Sequence, residues 1–289
     1  MEIIEKLEQN KLDSHPRLVG LIEASIQLLL KSIDEFGEKL ALSFNGGKDC
    51  TVVLHLLRAA CYIKDRNDED IQFQHSNQNH AIEQKLIIED CEESQEHVEQ
   101  QRKIRDEEKV QKRKSWLHRI SYVHFVKINE FPEIELFREF IAEHYGTTVQ
   151  LYSSDFKGEV KKLIDSKGIT GIIMGNRRTD PWSRDLEPIC KSSAGWPDFF
   201  RVFPILDWNY HDVWEFLRLF ELPYCTLYDE GYTSLGEMDN TVKNPHLKTV
   251  KINENGEEVE SYLPAYALKD DEYERESRRT HHPIQQKQQ

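Results

Sequence analysis

The sequence predicts an α/β fold, in which helices cover both faces of a parallel sheet and a smaller irregular subdomain follows at the C-terminal end. Short runs of apolar and β-branched residues alternate along the chain with longer stretches whose apolar residues recur at helical spacing. Such alternation is typical of a parallel sheet. A Gly-Gly pair also follows the first predicted strand, at the sheet edge where ligands of these folds bind.

The predicted elements begin with a long amphipathic helix over residues 16–36, which ends at Gly37 because glycine readily adopts the conformation that terminates helices. The sheet strands are predicted over 39–44, 120–128, 147–152 and 169–174, and the helices between them over 51–62, 132–145 and 160–167. Residues 185–209 are expected to be irregular. A helix over 210–220, a hairpin over 249–260 that turns at Asn255-Gly256, and a last element over 266–279 complete the prediction.

Composition divides the chain into a main domain over 16–248, a C-terminal flap with an arginine-bearing segment over 249–279, and a disordered tail over 280–289. A charged insertion over 65–115 interrupts the main domain and contains neither proline nor glycine. We expect this insertion to form a disordered loop that leads into a solvated single helix and contributes nothing to the chemistry. A coiled coil that binds a partner is the alternative, although its apolar stripe is sparse.

The charge and the cysteine content argue against several classes of function. A formal net charge of -14 over 289 residues disfavours nonspecific binding to nucleic acid or to an anionic membrane. No apolar span is long enough for a transmembrane helix, and the acidic N-terminus does not resemble a signal peptide. The five cysteines form no CxxC pair, which favours reduced thiols in a cytoplasmic protein. We expect this protein to be a monomer.

The first candidate site lies between the strand over 39–44 and the helix that follows it. It consists of Ser43, Phe44, Asn45, Gly46, Gly47, Lys48 and Asp49. Adjacent glycines permit a sharp turn that exposes backbone N–H groups, and the helix N-terminus behind them favours an anion, so we expect a bound phosphate. The GxxxxGK[ST] spacing of a Walker A loop is absent. A plain strand–helix turn with Asp49 as the helix cap is the alternative.

The residue types within this stretch indicate distinct roles. Gly46 and Gly47 bring backbone N–H donors close to a phosphate. Asn45 is able to donate to a phosphate oxygen without adding charge. Asp49 is the only acid of the stretch, and beside a triphosphate it is suited to bind Mg²⁺ or a water of its hydration shell.

A second candidate site follows the strand over 169–174. It contains Arg177, Arg178, Thr179 and Asp180, with Trp182 close behind. Two adjacent arginines at a strand end are able to hold phosphates bidentately. Asp180 is able to accept a hydrogen bond from an N–H at the edge of a ligand ring. Trp182 and Trp196 are able to form a wall on which such a ring stacks. The alternatives are a solvated surface turn for the arginines and core positions for the tryptophans.

Arg275 and Arg278, near the C-terminal end, form a third candidate site. Their i,i+3 spacing predicts that both side chains lie on one face of a helix. Taken alone, the pair also fits a solvated run of charge, which is the alternative.

Together these motifs resemble the eukaryotic FAD synthetases, which are FMN adenylyltransferases related to PAPS reductase within the ATP-pyrophosphatase superfamily. The resemblance is carried by the segments over 43–49, 175–181 and 196–199, and is extended by those over 204–206, 231–236, 244–246 and 274–278. It implies a Rossmann-like sheet of the adenine nucleotide alpha-hydrolase type. The insertion over 65–115 departs from the compact pattern of the family.

The resemblance also implies an activity, in which the phosphate of FMN attacks the α-phosphorus of ATP and yields FAD and pyrophosphate with the help of Mg²⁺. It implies that residues 43–49 bind ATP, with Asn45 and Asp49 at the triphosphate and metal. Arg275 and Arg278 are implied to gather the phosphates. The flavin is expected at Arg177, Arg178, Thr179, Asp180, Trp182 and Trp196.

Three other functions compete with this interpretation. PAPS reductase needs a nucleophilic cysteine near the C-terminus, and no cysteine follows Cys225. A tRNA-thiolating relative would need CxxC pairs and a basic surface. A flavin- or nucleotide-binding regulator without catalysis would not need the acid, the amide and the terminal arginines that this sequence retains.

Overall fold

A six-stranded sheet in the order β3-β2-β1-β4-β6-β5 forms the centre of the protein. The computed structural model describes residues 2–9, 12–87, 115–153, 155–252 and 254–278, and for 71–87 it describes the backbone only. The strands are β1 (Leu40–Ser43), β2 (Ser121–Phe125), β3 (Val149–Tyr152), β4 (Gly171–Ile173), β5 (Ile189–Lys191) and β6 (Phe200–Val202). Neighbouring strands run parallel, except that β5 is antiparallel to β6. Because β1 and β4 are adjacent, the loops that follow them meet at one edge of the sheet.

Helices cover both faces of this sheet, as the sequence predicts. The helices of the described residues are α1 (Glu2–Glu8), α2 (Pro16–Phe36), α3 (Lys48–Ile87), α4 (Trp116–Arg119), α5 (Pro132–His144), α6 (Phe156–Lys167) and α7 (Tyr210–Leu219). Leu40 and Leu42 of β1 belong to the larger core, which includes α2, α3 and α7, whereas Ala41 packs with Val160 and Leu163 of α6. This alternation along one strand is what a sheet buried on both faces requires.

The prediction that residues 185–209 are irregular is wrong, because β5 and β6 both lie there. Each strand contains three residues, and its sequence, Ile-Cys-Lys or Phe-Arg-Val, is too short to show a periodic pattern. β6 pairs with β4 and so completes the parallel part of the sheet.

The prediction of a disordered loop at the start of the insertion is also wrong, because α3 continues without interruption to Ile87. Without glycine or proline, nothing in the sequence ends this helix near residue 63. The far end of the insertion returns to the same helix, since Asp65 accepts hydrogen bonds from Ser115 Oγ at 2.5 Å and from the N–H of Trp116 at 3.0 Å. The predicted helix in the later part of the insertion, over 88–114, lies outside the described residues.

The C-terminal part forms a small subdomain of turns around one hairpin. The hairpin, β7 (Lys248–Ile252) and β8 (Glu258–Tyr262), confirms the predicted turn, with Gly256 at φ +82°. The last element is a pair of short 3₁₀ helices, Ala265–Ala267 and Asp271–Ser277, and not one continuous helix. The predicted disordered tail over 280–289 lies outside the described residues. In the described ranges, no helix combines the length and apolar character needed to span a membrane.

Replacing Leu42 by alanine is expected to lower the free energy of unfolding by about 2–5 kcal/mol, because the change leaves a cavity in the centre of the core. The Leu42 side chain is 0% exposed. Leu151→Ala on β3 is the matched control, since Leu151 is 60% exposed, and its effect should stay within about 0.5 kcal/mol. Urea denaturation followed by circular dichroism measures both values. Equal losses in the two variants would contradict this description of the core.

Candidate functional site

The glycine loop, residues 43–49, connects β1 to α3 at the carboxyl edge of the sheet. Phe44 extends the strand by donating its N–H to the carbonyl of Val123 at 2.8 Å. Gly46 has φ +76°, and a Cβ there would lie 3.1 Å from Ile134 Cγ2. Both the backbone conformation and the close neighbour therefore require glycine at this position.

Asn45 is fastened to this loop through its side-chain oxygen. Its Oδ1 accepts hydrogen bonds from the N–H of Gly47 at 3.0 Å and from Cys50 Sγ at 2.9 Å. The residue is exposed, and among the described residues its Nδ2 has no hydrogen-bond partner. The arrangement differs from the predicted one in one respect: the N–H of Gly47 already has an acceptor, whereas the Asn45 amide points no donor at the loop.

Four charged side chains form a buried cluster directly behind the loop, in which Asp49 alone keeps part of its surface exposed. They are Lys48, Asp49, Arg177 and Glu274, which come from three separate segments of the chain. Lys48 Nζ lies 3.0 Å from Asp49 Oδ2 and 2.5 Å from Glu274 Oε1. Arg177 Nη2 donates to both oxygens of Glu274, at 2.6 and 2.7 Å. The cluster holds two cations and two anions, so its formal charge is balanced.

The structure gives Lys48 close partners inside the cluster and excludes the alternative role of Asp49. The Lys48 side chain is 2% exposed and its ammonium contacts two carboxylates, so the part of Lys48 in ATP binding stays a prediction. The backbone N–H of Lys48 donates to Tyr228 Oη at 2.9 Å. Asp49 is not the helix cap of the alternative interpretation, because α3 begins one residue earlier.

The Asp49 carboxylate is held in its charged form. Burial alone opposes ionisation, but the positive charges of Arg177 and Lys48 outweigh it and hold the pKa of Asp49 below its usual value. Arg177 Nε lies 2.9 Å from Asp49 Oδ1, an ion-pair contact whose angle is not that of a hydrogen bond.

The two adjacent arginines of the second candidate site point in different directions. Arg177 is 1% exposed and belongs to the buried cluster. Arg178 instead contacts Asp207 Oδ1 at 2.5 Å and donates to the carbonyls of Arg184 and Leu186. Arg177 and Arg178 therefore do not act as a pair in this arrangement, and their contacts with phosphate or flavin stay a prediction.

Asp180 lies between the cluster and solvent. Its Oδ2 accepts the N–H of Arg177 at 2.9 Å, and its Oδ1 lies 3.6 Å from Arg275 Nη1. Burial and the nearby charge of Asp49 raise the pKa of Asp180. Thr179 beside it is exposed. Asp180 thus remains a candidate to face a ligand, with an arginine beside it.

The two tryptophans occupy different environments and do not form the predicted wall by themselves. Trp182 is 97% exposed and has φ +66°, an unusual conformation for a bulky residue. Trp196 packs edge-on against Phe156 at the start of α6, with 5.4 Å between ring centroids.

Arg275 and Arg278 reach the site, although not from one helical face as predicted. Arg275 lies in the last turn of the 3₁₀ helix with its side chain 46% exposed, whereas Arg278 is extended and pairs with Thr241 in an isolated bridge. Arg278 Nη1 donates to the carbonyl of Leu235 at 2.7 Å, and a Cβ on Gly236 would lie 2.2 Å from its guanidinium carbon. Burial and the charge of Arg275 lower the pKa of Arg278.

Sequence reasoning missed two residues that the structure brings to this site. Glu274 carries the buried carboxylate, and one acidic residue among several in a charged segment gave no signal of burial. Lys127 follows β2, the neighbour of β1, and burial together with the charge of Arg278 lowers the pKa of Lys127. Its position two residues after a strand end is the signal that could have identified it.

The comparisons with known proteins agree with this geometry. Residues 39–243 match the family described as the phosphoadenosine phosphosulfate reductase domain. The "Probable FAD synthase" of Schizosaccharomyces pombe is 30% identical over 274 residues, which cover 91% of this chain and 81% of that protein. The chain belongs to the FAD synthase branch of this family. The "Probable FAD synthase" of Caenorhabditis elegans is 35% identical over 240 residues, which cover 82% of this chain and 36% of that protein.

Solved structures confirm the predicted fold of this FAD synthase-like chain. Candida glabrata FMN adenylyltransferase in complex with FAD and inorganic pyrophosphate matches with a TM-score of 0.67 and 23% identity, covering 92% of this chain and 89% of that one. Yeast FAD synthetase in complex with FAD matches with a TM-score of 0.63 and 22% identity, covering 90% of this chain and 91% of that one. The chain spans 36% of the length of its Caenorhabditis relatives.

Cys50 is expected to resist alkylation in the native protein, because burial raises the pKa of its thiol to about 12 and the thiolate is the reactive form. Cys190, which is partly exposed, is the internal control. Iodoacetamide labelling at pH 8, with quantification of each cysteine peptide by mass spectrometry, should show Cys50 reacting at least about 100-fold more slowly than Cys190. Similar rates would show that the loop is open in solution.

Proposed function

We propose that this chain is an FMN adenylyltransferase, which makes FAD and pyrophosphate from FMN and ATP in the last step of FAD biosynthesis. The observation that carries the proposal is that three segments meet in one cluster. They are the glycine loop, the loop after β4 that carries Arg177 (the Arg177 loop), and the arginine-bearing segment. Three motifs far apart in the sequence thus form a single site with Asn45, Asp180 and Arg275 at its accessible edge. The relatives called FAD synthases, which match most of this chain, support the choice of substrates.

In the proposed reaction an oxygen of the FMN phosphate attacks the α-phosphorus of ATP. A new P–O bond forms while the bond from the α-phosphorus to the oxygen that bridges to the β-phosphorus breaks, and pyrophosphate leaves with that electron pair. A phosphate monoester is already ionised near neutral pH, so the reaction needs no general base. Positioning and neutralisation of charge would therefore account for the catalysis.

At the ATP end, Asn45 Nδ2 is the donor that we assign to the triphosphate, because its Oδ1 is already held by the loop. Asp49 is the residue that we assign to Mg²⁺. Within the described residues no three His, Cys, Asp or Glu side chains could hold a metal together. Mg²⁺ is often bound by one or two carboxylates with substrate phosphates and waters, so a single charged carboxylate beside a triphosphate fits it. When bound, Mg²⁺ would neutralise charge on the triphosphate.

At the other end, Arg275 and Arg278 are the cations that we assign to the reacting phosphates. The side chain of Arg275 is exposed and therefore able to change its conformation when the substrate binds. Arg278 is instead held by its hydrogen bond to the carbonyl of Leu235. Asp180, beside Arg275, is assigned to the edge of the flavin ring. A cytoplasmic location is also proposed, since the four described cysteines are free.

The direct test is incubation of the purified protein with FMN, ATP and Mg²⁺, followed by chromatography of the flavins and an assay for pyrophosphate. Equimolar FAD and pyrophosphate support the proposal. Binding of FMN and ATP without turnover would instead identify a nucleotide-binding regulator. Absence of any response to FMN would refute both.

Arg275→Ala is expected to lower kcat by about 100- to 1000-fold, because a cation that stabilises the developing charge is lost. Arg66→Ala is the control, since Arg66 is an exposed residue of α3, about 27 Å along the helix from Lys48. Steady-state FAD formation measures both. An Arg275 variant with the wild-type rate would remove this residue from the mechanism.

Asp180→Ala is expected to raise the KM for FMN by about 10- to 100-fold, because a hydrogen bond to a charged group is lost from the flavin. The KM for ATP should change little. Asp185→Asn, an exposed position in the same loop, is the control. If the KM for ATP rose and that for FMN did not, Asp180 would belong to the nucleotide half of the site.

A further inference from the structure

Glu274 is a member of the buried cluster to which the proposed mechanism gives no role. It lies on the 3₁₀ helix Asp271–Ser277, next to Arg275, and is almost fully buried. Its Oε1 contacts Lys48 Nζ at 2.5 Å, and both its oxygens contact Arg177 Nη2. A single carboxylate thus joins the glycine loop, the Arg177 loop and the C-terminal segment.

The backbone that carries Glu274 is fixed by a second layer of hydrogen bonds. Thr233 Oγ1 donates to the carbonyl of Glu274 at 2.6 Å, and the N–H of Thr233 donates to Ser277 Oγ at 3.0 Å. Asn244 Nδ2 donates to Thr233 Oγ1 at 2.8 Å and to the carbonyl of Tyr273 at 2.7 Å. These buried bonds hold the carboxylate in place, so it is Lys48 and Arg177 that must adapt to it.

The two cations are shared between two carboxylates. Lys48 Nζ is 3.0 Å from Asp49 Oδ2, and Arg177 Nε is 2.9 Å from Asp49 Oδ1. Without the negative charge of Glu274, both cations would have Asp49 as their only carboxylate within the cluster. A buried charge without a partner is strongly unfavourable, so two cations that depend on Asp49 alone would shift both their own positions and that of its carboxylate.

We infer that Glu274 is a positioning residue, whose charge shares Lys48 and Arg177 with Asp49 and so fixes where the Asp49 carboxylate lies relative to the substrate side. The inference rests on the proposed function and adds to it a residue that touches no substrate. By the same contacts Glu274 places Arg275, its neighbour in the chain, at the edge of the site.

The test begins with Glu274→Gln, which keeps the shape of the side chain and removes its charge. We expect kcat to fall by on the order of 100-fold through misplacement of the cluster. The KM for ATP should not rise, because the variant gains net positive charge beside the triphosphate. Glu276→Gln, two residues further along and exposed, should leave both constants unchanged.

The decisive variant combines Glu274→Gln with Lys48→Met. The methionine side chain fits beside the rings of Tyr210 and Tyr228, which lie 5.3 and 5.9 Å from Lys48 Nζ. The double variant retains one cation and one anion, Arg177 and Asp49, so its charge is balanced again. We expect it to recover at least about 10-fold in kcat over Glu274→Gln alone, since coupled residues are not additive.

The wild type, Glu274→Gln, Lys48→Met and the double variant are compared both in kcat and by thermal unfolding without any substrate. A midpoint of the double variant above that expected from the two single shifts supports the inference, and additive shifts in both unfolding and kcat would overturn it. A wild-type rate for Glu274→Gln would overturn it as well. If the wild-type protein makes no FAD, the proposed function fails, and the unfolding comparison alone decides whether Glu274 acts through Lys48. Should Glu274→Gln not fold, Glu274→Asp, which keeps the charge, takes its place and should retain more activity than Lys48→Met.

Discussion

The site depends on the burial of the Glu274 carboxylate between the ammonium of Lys48 and the guanidinium of Arg177. Removal of each of these charges from water costs several kcal/mol, and only close partners offset that cost. The three segments that carry these charges must therefore either pack together or separate far enough for water to reach all the charges. Buried ion pairs contribute little net stability, so we interpret this cluster as a device that specifies one arrangement of the three loops, which is a hypothesis for this protein.

The cluster also explains how an acidic protein can offer a site for anions. The chain carries a formal net charge of -14, yet Lys127, Arg275 and Arg278 lie along the edge of the site. Burial and the charge of Arg278 lower the pKa of Lys127, and burial and the charge of Arg275 lower the pKa of Arg278, so these positive charges influence one another. Because Lys48 and Arg177 are neutralised by carboxylates inside the cluster, these outer cations are the ones left to attract a phosphate.

The fold was predictable wherever a helix or strand was long enough for its apolar residues to show a regular spacing. The helix over residues 16–36 and the alternation of strands and helices were correct, whereas β5 and β6, with three residues each, showed no period at all. The continuation of α3 to Ile87 was missed because polar composition was interpreted as disorder. Helix propensity does not depend on apolar residues, and a stretch without glycine or proline has nothing to end the helix.

By itself, the sequence determined the sheet, the glycine turn and the identity of the residues that meet at its edge, because backbone conformation and apolar period are local properties. Only the tertiary structure decided what each charged residue does there. Adjacent arginines were expected to act together, yet Arg177 is buried and Arg178 contacts Asp207 at the surface. Glu274, which the sequence placed in a solvated run, became the centre of the cluster. The partner of a charge, and therefore its burial and its pKa, is set by segments far away in the chain, which no local pattern encodes.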